Sequence, residues 1–555
     1  MKITTNMHEG RRTEMYACGA WNDMIITDYL EMAVTKTPQK TALVGYRVHA
    51  GDRSAMSYSE LDRRITRMAA GLAALGVEKG DVVSCQLPNW WQMSALFLAC
   101  VRIGAVCNPL MPIFREHEMQ YMLAHAQSKV VVVPGTFRNF DHQAMLQGLR
   151  GELPDLCHVL VIGGDGEQSF EQVLLERAWE TECDTARLFA ERRPGADEVV
   201  QLLYTSGTTG KPKGVMHTSN TLLSNIRPFS ERQGLSAAEI ILMPSPLAHQ
   251  LGFLYGLMLP VYLGASAILQ DVWEPAFAAR VVAEEGCSLT LGSTPFLADL
   301  VDIARDEREQ LASLTTFISA GAPIPGALVE KAAGVMQGTK IISAWGMTEN
   351  GAVTTTRPQD PQTTAVHSDG VALPYMQVKI VDGEGHELPA GEEGDLLVRG
   401  ASQCVGYFRQ PDMYQLDNEG WFATGDIARK DEAGYIRITG RSKDVVIRGG
   451  ENLPIADIEN TLYKHPAIQA VALVGAPDER LGERLCAYVT LHDSSATLTL
   501  KDVTDYLVEQ KFTRQYLPEY LEVLAALPRT PSGKIQKFKL RDMAKDIFQN
   551  QQAHA

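Results

Sequence analysis

A short loop rich in glycine, hydroxyl and lysine side chains limits what this chain can fold into more than any other segment. The segment from Tyr204 to Gly214 reads YTSGTTGKPKG. The apolar run Val199–Tyr204 before it predicts a buried strand, and Val215–His217 predicts a second strand after it. Glycines let a backbone turn its N–H groups toward an anion, hydroxyls add donors, and lysines neutralise charge. We expect a strand–loop–strand hairpin over a polyphosphate; the alternative is a flexible linker that binds nothing.

This loop differs from the common P-loop. That pattern needs Gly-x-x-x-x-Gly-Lys followed by Ser or Thr. Here Thr205 stands five residues before Gly210, and Lys211 is followed by Pro212. The sequence therefore indicates another class of nucleotide loop.

Length and composition bound the class of protein. A chain of 555 residues exceeds the size, roughly 250–300 residues, at which single cores stop growing, so more than one domain is expected. The 51 Lys+Arg and 67 Asp+Glu give a net charge of −16, which argues against nucleic-acid binding. Nine dispersed cysteines without metal spacing favour buried thiols over a disulfide framework. With no apolar secretory segment in the first residues, these features predict a cytoplasmic protein.

One uncharged segment is long enough to be tested as a membrane span. Ala248–Leu269 contains no Asp, Glu, Lys or Arg. Pro260 is expected to break a helix there. We expect instead a short buried helix around Gly252–Leu259 and a strand near Ala265–Leu269, and hence no transmembrane segment.

Strand and helix patterns alternate along most of the chain. Ser59–Leu75 predicts an amphipathic helix capped by Ser59, and Val82–Leu87 and Val130–Val133 predict strands. Alternation of this kind favours parallel sheets with helices on their faces. The predicted fold class is α/β, with a large N-terminal domain of parallel and mixed sheets (1–440), a β-rich subdomain (about 370–439) and a small α+β C-terminal lid (445–555).

Three further segments carry side chains suited to nucleotide chemistry. Trp345–Glu349 reads WGMTE, and its alternative is a surface turn with a buried tryptophan. Trp421–Asp426 reads WFATGD, and its alternative is a turn with a solvated aspartate. Pro528–Lys537 reads PRTPSGKIQK, a shaped loop whose alternative is a basic tail that binds phosphate loosely.

Together with the first loop, these segments resemble the adenylate-forming superfamily, which contains acyl-CoA synthetases and the adenylation domains of peptide synthetases. The resemblance implies that Lys534 is the catalytic lysine, that Glu349 and Thr205 assist catalysis as ligands of Mg²⁺, and that Asp426 and Arg441 bind the ribose. The flat face of Trp345, where tyrosine is usual, is expected to stack on the purine. The implied ATP- and AMP-binding residues are Thr205, Ser206, Gly207, Thr208, Thr209, Gly210, Lys211, Lys213, Gly321, Ala322, Pro323, Trp345, Gly346, Met347, Thr348, Asp426 and Arg441.

The same resemblance implies an acyl pocket and a moving lid. The expected acyl-pocket residues are His249, Phe253, Gly292, Ser293, Thr294 and Ala320. The linker 441–444 is expected to be the hinge, with Lys443 as the residue that rotates. Gly449, Gly450 and Glu451 are expected to meet CoA after rotation.

The implied function is an acyl-CoA ligase that uses ATP, Mg²⁺ and CoA and releases AMP and pyrophosphate. The chain resembles bacterial short- and medium-chain fatty acid and cyclohexanecarboxylate CoA ligases, so a medium-chain or alicyclic acid is the expected substrate. Two alternatives are an enzyme that loads a carrier protein and a non-catalytic nucleotide-binding homologue. The sequence leaves open whether the protein is a monomer or a homodimer.

Overall fold

The computed structural model describes residue 3 and residues 5–205, 212–322, 324–441, 446–448, 451–478, 481–493, 495–530 and 533–553. Within these residues, two large sheets with flanking helices are followed by an antiparallel sheet and then by a smaller C-terminal sheet. The fold is therefore α/β, with a large N-terminal domain and a small C-terminal domain, as the sequence predicts.

The largest sheet of the described residues has nine strands and is parallel except at its edges. Its antiparallel edge strands are Val371–Ala372 and Gly351–Thr355 on one side and Asp52–Ser57 on the other. Fully buried parallel strands read as continuous apolar runs. In spatial order the strands are Val371–Ala372, Gly351–Thr355, Lys340–Met347, Thr316–Ser319, Leu289–Gly292, Ile240–Met243, Ser266–Gln270, Thr41–Arg47 and Asp52–Ser57.

A second sheet of six strands carries the hairpin predicted at the glycine-rich loop. Val199–Thr205 and Lys213–Thr218 pair antiparallel, with Thr205 opposite Lys213, which confirms the expected strand–loop–strand arrangement. The other neighbours in this sheet are parallel. In spatial order the strands are Lys213–Thr218, Val199–Thr205, Val106–Pro109, Val82–Cys85, Ser128–Pro134 and His158–Ile162.

Two smaller sheets complete the described architecture. The antiparallel sheet contains Met376–Val381, Glu393–Gly400, Phe422–Lys430 and Ile436–Arg441, in that spatial order. The C-terminal sheet is built on the long hairpin of Ile468–Asp478 and Gly482–Leu491. Its other strands are Ile447–Arg448, Glu451–Asn452 and Tyr520–Val523. A separate small hairpin pairs Thr136–Phe137 with Phe140–Asp141.

Helices cover the sheets, and one of them lies between the two large sheets. Trp91–Arg102 is buried along almost its whole length and contacts Val106–Pro109 of one sheet and Thr41–Arg47 of the other. The α-helices are Glu9–Ala17, Ile26–Lys36, Tyr58–Ala74, Trp91–Arg102, Glu116–Ala126, His142–Leu149, Thr185–Arg192, Ser219–Gln233, Gln250–Gly252, Leu259–Leu263, Pro275–Glu285, Thr294–Asp306, Gly326–Val335, Gln362–His367, Ile455–Leu462, Leu500–Glu509 and Lys537–Ala553.

Two local expectations are wrong. The helix predicted from Ser59 is Tyr58–Ala74, and the side chain of Ser57 caps it by accepting the Glu60 N–H. Pro260 does not break its helix, because a π-helical segment, Phe253–Met258, precedes it and places the proline in the first turn of Leu259–Leu263, where a missing N–H is tolerated. Among the described residues, none of the helices combines the length and the apolar character needed to span a bilayer.

Candidate functional site

A cavity of about 350 Å³ lies between the large domain and the C-terminal domain. The strands Thr316–Ser319 and Lys340–Met347 run parallel and end at this cavity. The segments that follow or end these strands supply one wall, formed by Gly321, Ala322, Trp345 and Gly346. The ends of parallel strands are where α/β sheets usually bind ligands.

Asp426 faces this cavity and is held by two donors. The Trp345 indole N–H donates to Asp426 Oδ2 at 3.0 Å, and Arg441 Nε lies 2.7 Å from Oδ1. Asp426 and Arg441 are register partners in neighbouring antiparallel strands, so the backbone itself sets their separation. Asp426 is only 4% exposed, yet each of its oxygens has further acceptor capacity for a ribose hydroxyl.

Glu349 is a buried carboxylate beside the phosphate-loop hairpin. Its Oε1 accepts a hydrogen bond from the Tyr407 hydroxyl at 2.7 Å. Burial raises the pKa of Glu349, while the Tyr407 hydrogen bond and the charges of Lys213 and Arg441 oppose that rise. Lys213 Nζ also lies 4.8 Å from the centre of the Tyr407 ring. Tyr407 therefore contacts both the acid and the lysine of this part of the site.

The loop that carries Tyr407 is tied to the N-terminal segment. Arg11 donates to the carbonyls of Gly400 and Cys404, each at 3.2 Å. The Trp21 indole N–H donates to the carbonyl of Ala401 at 3.0 Å. The N-terminal segment therefore fixes the loop from which Tyr407 reaches Glu349.

The two strands of the hairpin pair Thr205 with Lys213 at the loop end of the hairpin. His217, on the second strand, lies with Nε2 2.8 Å from the Thr348 carbonyl and Nδ1 3.0 Å from Thr221 Oγ1. Burial lowers the pKa of His217 to about 4. A neutral histidine therefore joins the hairpin to the segment that carries Glu349. Ser206, Gly207, Thr208, Thr209, Gly210 and Lys211 lie outside the described residues.

Lys534 reaches the cavity from the C-terminal domain. It lines the cavity together with Trp345, Asp426 and Arg441. The Lys534 N–H donates to Thr530 Oγ1 at 3.0 Å, and the Thr530 N–H donates to the Lys534 carbonyl at 2.7 Å. Gly533 adopts a φ of 85°, and an added Cβ would lie 2.5 Å from Ser293 Oγ. Glycine is therefore needed where the loop approaches the large domain.

The expected acyl-pocket residues divide into two groups. Among the described residues that line the cavity, Thr294 is present, whereas His249, Phe253, Gly292, Ser293 and Ala320 are not. Phe253 is fully buried and packs edge-on against Phe97, with ring centres 4.6 Å apart. Burial, with the charge of Lys534 added, lowers the pKa of His249 to about 4. The acyl-pocket assignment stays a prediction.

Some predicted residues lie where the structure gives little or no description. Lys443, Gly449, Gly450 and Pro323 are outside the described residues, and of Glu451 only the backbone is described, in the strand Glu451–Asn452. Met347 ends the strand Lys340–Met347, and the Thr348 carbonyl meets His217.

Sequence reasoning missed Tyr407, His217, Asp369 and Arg437. The last two line the cavity, and Arg437 Nη1 lies 3.5 Å from Asp369 Oδ1. Each is an isolated polar residue in an ordinary strand or loop pattern. The sequence shows each of them only as a polar residue close to an expected buried strand. That pattern does not indicate which other residue the side chain contacts.

Comparison with known proteins agrees with this geometry. Family models match at residues 30–408 (AMP-binding enzyme) and 457–534 (AMP-binding enzyme C-terminal domain). A medium-chain fatty-acid–CoA ligase of Escherichia coli strain K12 is 35% identical, covering 99% of this chain and 95% of that protein. A salicylyl-CoA synthase / salicylate adenylyltransferase of a Streptomyces species is 32% identical, covering 88% of this chain and 89% of that protein.

The crystal structure of the anthranilate CoA ligase AuaEII in complex with anthranoyl-AMP matches with a TM-score of 0.83 at 26% identity, covering 94% of this chain and 98% of that one. Fold and site therefore define an AMP-forming acid–CoA ligase that uses ATP and CoA. The chain belongs to the family of AMP-binding enzymes.

Proposed function

We propose that this enzyme activates a medium-chain fatty acid or an alicyclic acid such as cyclohexanecarboxylate, through acyl-AMP, to the CoA thioester. The observation that carries the proposal is the position of Lys534, which shares one cavity with Trp345, Asp426 and Arg441. A lysine from one domain facing a nucleotide wall on the other suits attack of a carboxylate on the α-phosphate. The ammonium group of Lys534 stabilises the negative charge that develops there.

The other residues bind and orient ATP. Asp426 accepts hydrogen bonds from the ribose hydroxyls while the Trp345 N–H and Arg441 hold its carboxylate in place. Thr205 and Lys213 carry the loop that contacts the β- and γ-phosphates. Positioning and charge stabilisation suffice for this step, so no covalent nucleophile is required.

Glu349 and Thr205 fit a magnesium site that is completed by phosphate oxygens. Glu349 supplies one buried carboxylate, whose Oε1 accepts a hydrogen bond from Tyr407 and whose Oε2 would be the metal ligand. Mg²⁺ usually takes one or two carboxylates together with phosphates and waters. When bound, the ion would neutralise phosphate charge.

An apolar acid suits the pocket for an electrostatic reason. His249 is neutral at pH 7, because its pKa is about 4. Phe253, whose N–H donates to the His249 carbonyl, packs its apolar ring against Phe97. Neither element offers a charge for a polar substrate tail. The name of the E. coli relative also supports a medium-chain acid.

We infer a cytoplasmic enzyme as well, because several cysteines are buried free thiols: Cys85, Cys100, Cys107, Cys287, Cys404 and Cys486.

The test is pyrophosphate release with a panel of acids, followed by addition of CoA. Octanoate or cyclohexanecarboxylate should support the fastest release, and CoA should convert the enzyme-bound acyl-AMP to acyl-CoA. Salicylate or anthranilate as the best substrate would overturn the proposed acid class. Acyl-AMP that accumulates regardless of CoA would overturn the acceptor.

The second half-reaction requires the C-terminal domain to rotate about Lys443, which brings Gly449, Gly450 and Glu451 to CoA. Lys443→Pro should slow acyl transfer to CoA and spare pyrophosphate release, because proline fixes φ at the hinge. Stopped-flow measurement of both half-reactions checks this. Normal acyl transfer in the variant would place the hinge elsewhere.

A further inference from the structure

A carboxylate that no sequence motif marks lies in the cavity wall beside the candidate purine site. Asp369 is 6% exposed and lies between the helix Gln362–His367 and the strand Val371–Ala372. Its Oδ2 accepts the Ile438 N–H at 2.8 Å. Its Oδ1 has longer contacts, 3.4 Å from Ser343 Oγ and 3.5 Å from Arg437 Nη1.

Strand register places Asp369 beneath the wall expected to hold the base. Ser319 and Ser343 are partners in the two parallel strands that end at the cavity. Side chains two residues apart on a strand face the same side, so Ser343 lies below Trp345. Asp369 contacts Ser343 and lines the same cavity as Gly321, Ala322 and Trp345. Asp369 is therefore part of the same cavity lining as the segments expected to hold the base.

The chemistry of this carboxylate matches a hydrogen-bond donor on the ligand. Burial raises the pKa of Asp369, while the charge of Arg437 and the hydrogen bonds from the Ile438 N–H and the Ser343 hydroxyl oppose that rise. In its ionised form the carboxylate only accepts hydrogen bonds, and each oxygen has two lone pairs. The contacts of Oδ1 are longer than ordinary hydrogen bonds, whose donor–acceptor distances are about 2.7–3.2 Å, so this oxygen can accept another donor. Adenine presents an amino group at its 6-position, where guanine and hypoxanthine present an oxygen. A carboxylate at this place attracts the amino group and repels the oxygen.

We propose that Asp369 selects adenine, by accepting a hydrogen bond from the 6-amino group at Oδ1. The Ile438 N–H and Arg437 hold the carboxylate, and Trp345 contributes the stacking face. Arg437 is itself anchored, because its Nη2 lies 3.4 Å from the Ile324 carbonyl. The proposal rests on ATP being bound in this cavity, as the proposed function requires.

The test compares three nucleotides that differ at the 6-position of the purine, with inosine triphosphate also carrying a proton on N1. These are ATP, purine riboside triphosphate, which lacks the amino group, and inosine triphosphate, which has an oxygen there. The wild-type enzyme should use ATP with a kcat/KM roughly tenfold to a hundredfold above that for purine riboside triphosphate, the range for a hydrogen bond to a charged group. Asp369→Ala should bring this ratio close to one, through a loss of activity with ATP.

Asp369→Asn provides a second variant of nearly the same shape. Its amide oxygen can still accept from the amino group, and its NH₂ can donate to the oxygen of inosine triphosphate, so the preference for ATP over inosine triphosphate should fall. Ser368→Ala is the matched control. Ser368 is buried in the same turn and donates to the Ile436 carbonyl, but it does not line the cavity. It should change all three kcat/KM values by the same factor.

The outcomes separate this inference from the proposed function. Two results would overturn the role of Asp369 even if wild-type turnover is normal. One is an unchanged preference for ATP, over purine riboside triphosphate in Asp369→Ala and over inosine triphosphate in Asp369→Asn. The other is an equal loss of kcat/KM with all three nucleotides. No turnover by the wild type with any acid would contradict the proposed function instead. Equilibrium binding of AMP and purine riboside monophosphate then gives the same comparison without catalysis. If Asp369→Ala does not fold, Asp369→Asn decides.

Discussion

The two sides of the cavity are constructed differently. On the large domain, Glu349 and Asp426 are buried and held by donors from distant segments, namely Tyr407, Trp345 and Arg441. On the C-terminal domain, Lys534 sits in a loop shaped by hydrogen bonds to its neighbour Thr530. The difference indicates that the nucleotide side is pre-organised before ATP arrives. The loop that carries Lys534 is shaped by its own hydrogen bonds, so its shape does not depend on contact with the nucleotide side.

The arrangement of Arg529 supports this interpretation. Its Nη1 donates to the Gly533 carbonyl at 3.0 Å, inside the same loop. Asp299, on the helix Thr294–Asp306 of the large domain, has a pKa raised by burial, and the Trp273 hydrogen bond and the Arg529 charge oppose that rise. The loop therefore has an internal hydrogen bond, while its attraction to the large domain includes a longer-range charge interaction.

The largest expected effect comes from removing the charge that the lysine side contributes. Lys534→Ala should reduce pyrophosphate release by at least about a hundredfold to a thousandfold, or about 2.7–4 kcal/mol, the range for losing a group that stabilises transition-state charge. Thioester formation from supplied acyl-AMP should be largely spared. Single-turnover assays of each half-reaction measure both. Lys539→Ala removes an exposed lysine of the helix that follows this loop, and Lys539 does not line the cavity, so this control should keep most activity. Equal loss of both half-reactions in Lys534→Ala would mean that the two sides act as one rigid site.

The next prediction concerns Tyr407 on the pre-organised side. Tyr407→Phe should lower kcat about tenfold or more and raise the Mg²⁺ concentration needed for half-maximal rate, because Glu349 loses a charge-assisted hydrogen bond. The same hydrogen bond lowers the pKa of Glu349, so the acidic limb of the pH–rate profile should move to higher pH. A pH–rate profile at several Mg²⁺ concentrations measures both effects.

Tyr414→Phe is the matched control for this change. The Tyr414 hydroxyl donates to the Cys404 carbonyl at 3.0 Å, and its ring packs edge-on against Tyr407, with ring centres 5.4 Å apart. It should cost stability but leave the Mg²⁺ requirement and the acidic limb in place. Identical profiles for both variants would show that Tyr407 only packs.

The sequence predicted the parts of this comparison that depend on local pattern. Apolar runs on both sides of a glycine-rich loop predict the hairpin at Thr205 and Lys213, because strand burial and loop chemistry are local. The helix start was wrong by one residue. Tyr58 is fully buried, and its hydroxyl lies within hydrogen-bond distance of the carbonyls of Pro260 and Ala265, so tertiary contacts draw it into the helix and make Ser57 the cap.

Contacts between distant segments could not be predicted in this way. The motif around Trp345 predicts a stacking ring, and nothing in it indicates that the indole N–H would meet Asp426, 81 residues away. The same holds for Tyr407 and Glu349, which are 58 residues apart. These pairings follow from how the antiparallel sheet packs against the end of the large sheet, and single-sequence patterns do not encode that packing.

A third prediction tests the pre-organised side through pH. His217 has a pKa of about 4 when folded and about 6.5 when unfolded, so it contributes stability above pH 6.5 that is lost as pH falls toward 4. Between these values its share of the unfolding free energy should fall by up to about 1.4 kcal/mol per pH unit. Thermal unfolding of the wild type and His217→Gln from pH 7 to pH 4.5 checks this. The variant should show a shallower slope. His465→Gln is the control, because His465 is only half-buried and lies in the C-terminal domain, although burial lowers its pKa as well. Equal slopes in wild type and His217→Gln would place the acid sensitivity elsewhere.

The smallest expected effect concerns the indole N–H of Trp345. Trp345→Phe keeps an aromatic face for the base but loses the donor to Asp426, so KM for ATP should rise roughly fivefold, about 1 kcal/mol, while Arg441 still holds the other oxygen. The lost affinity should come from the ribose contacts, because the Trp345 indole N–H holds the Asp426 carboxylate in position for the two ribose hydroxyls. The preference for ATP over 3′-deoxy-ATP should therefore shrink in Trp345→Phe.

Trp421→Phe is the control for this change. It removes an indole N–H that donates to Glu419 at the surface, and it should leave the preference for ATP over 3′-deoxy-ATP unchanged. If Trp345→Phe weakens ATP and 3′-deoxy-ATP by the same factor, the tryptophan acts through stacking alone, and Asp426 is held by Arg441 and its strand.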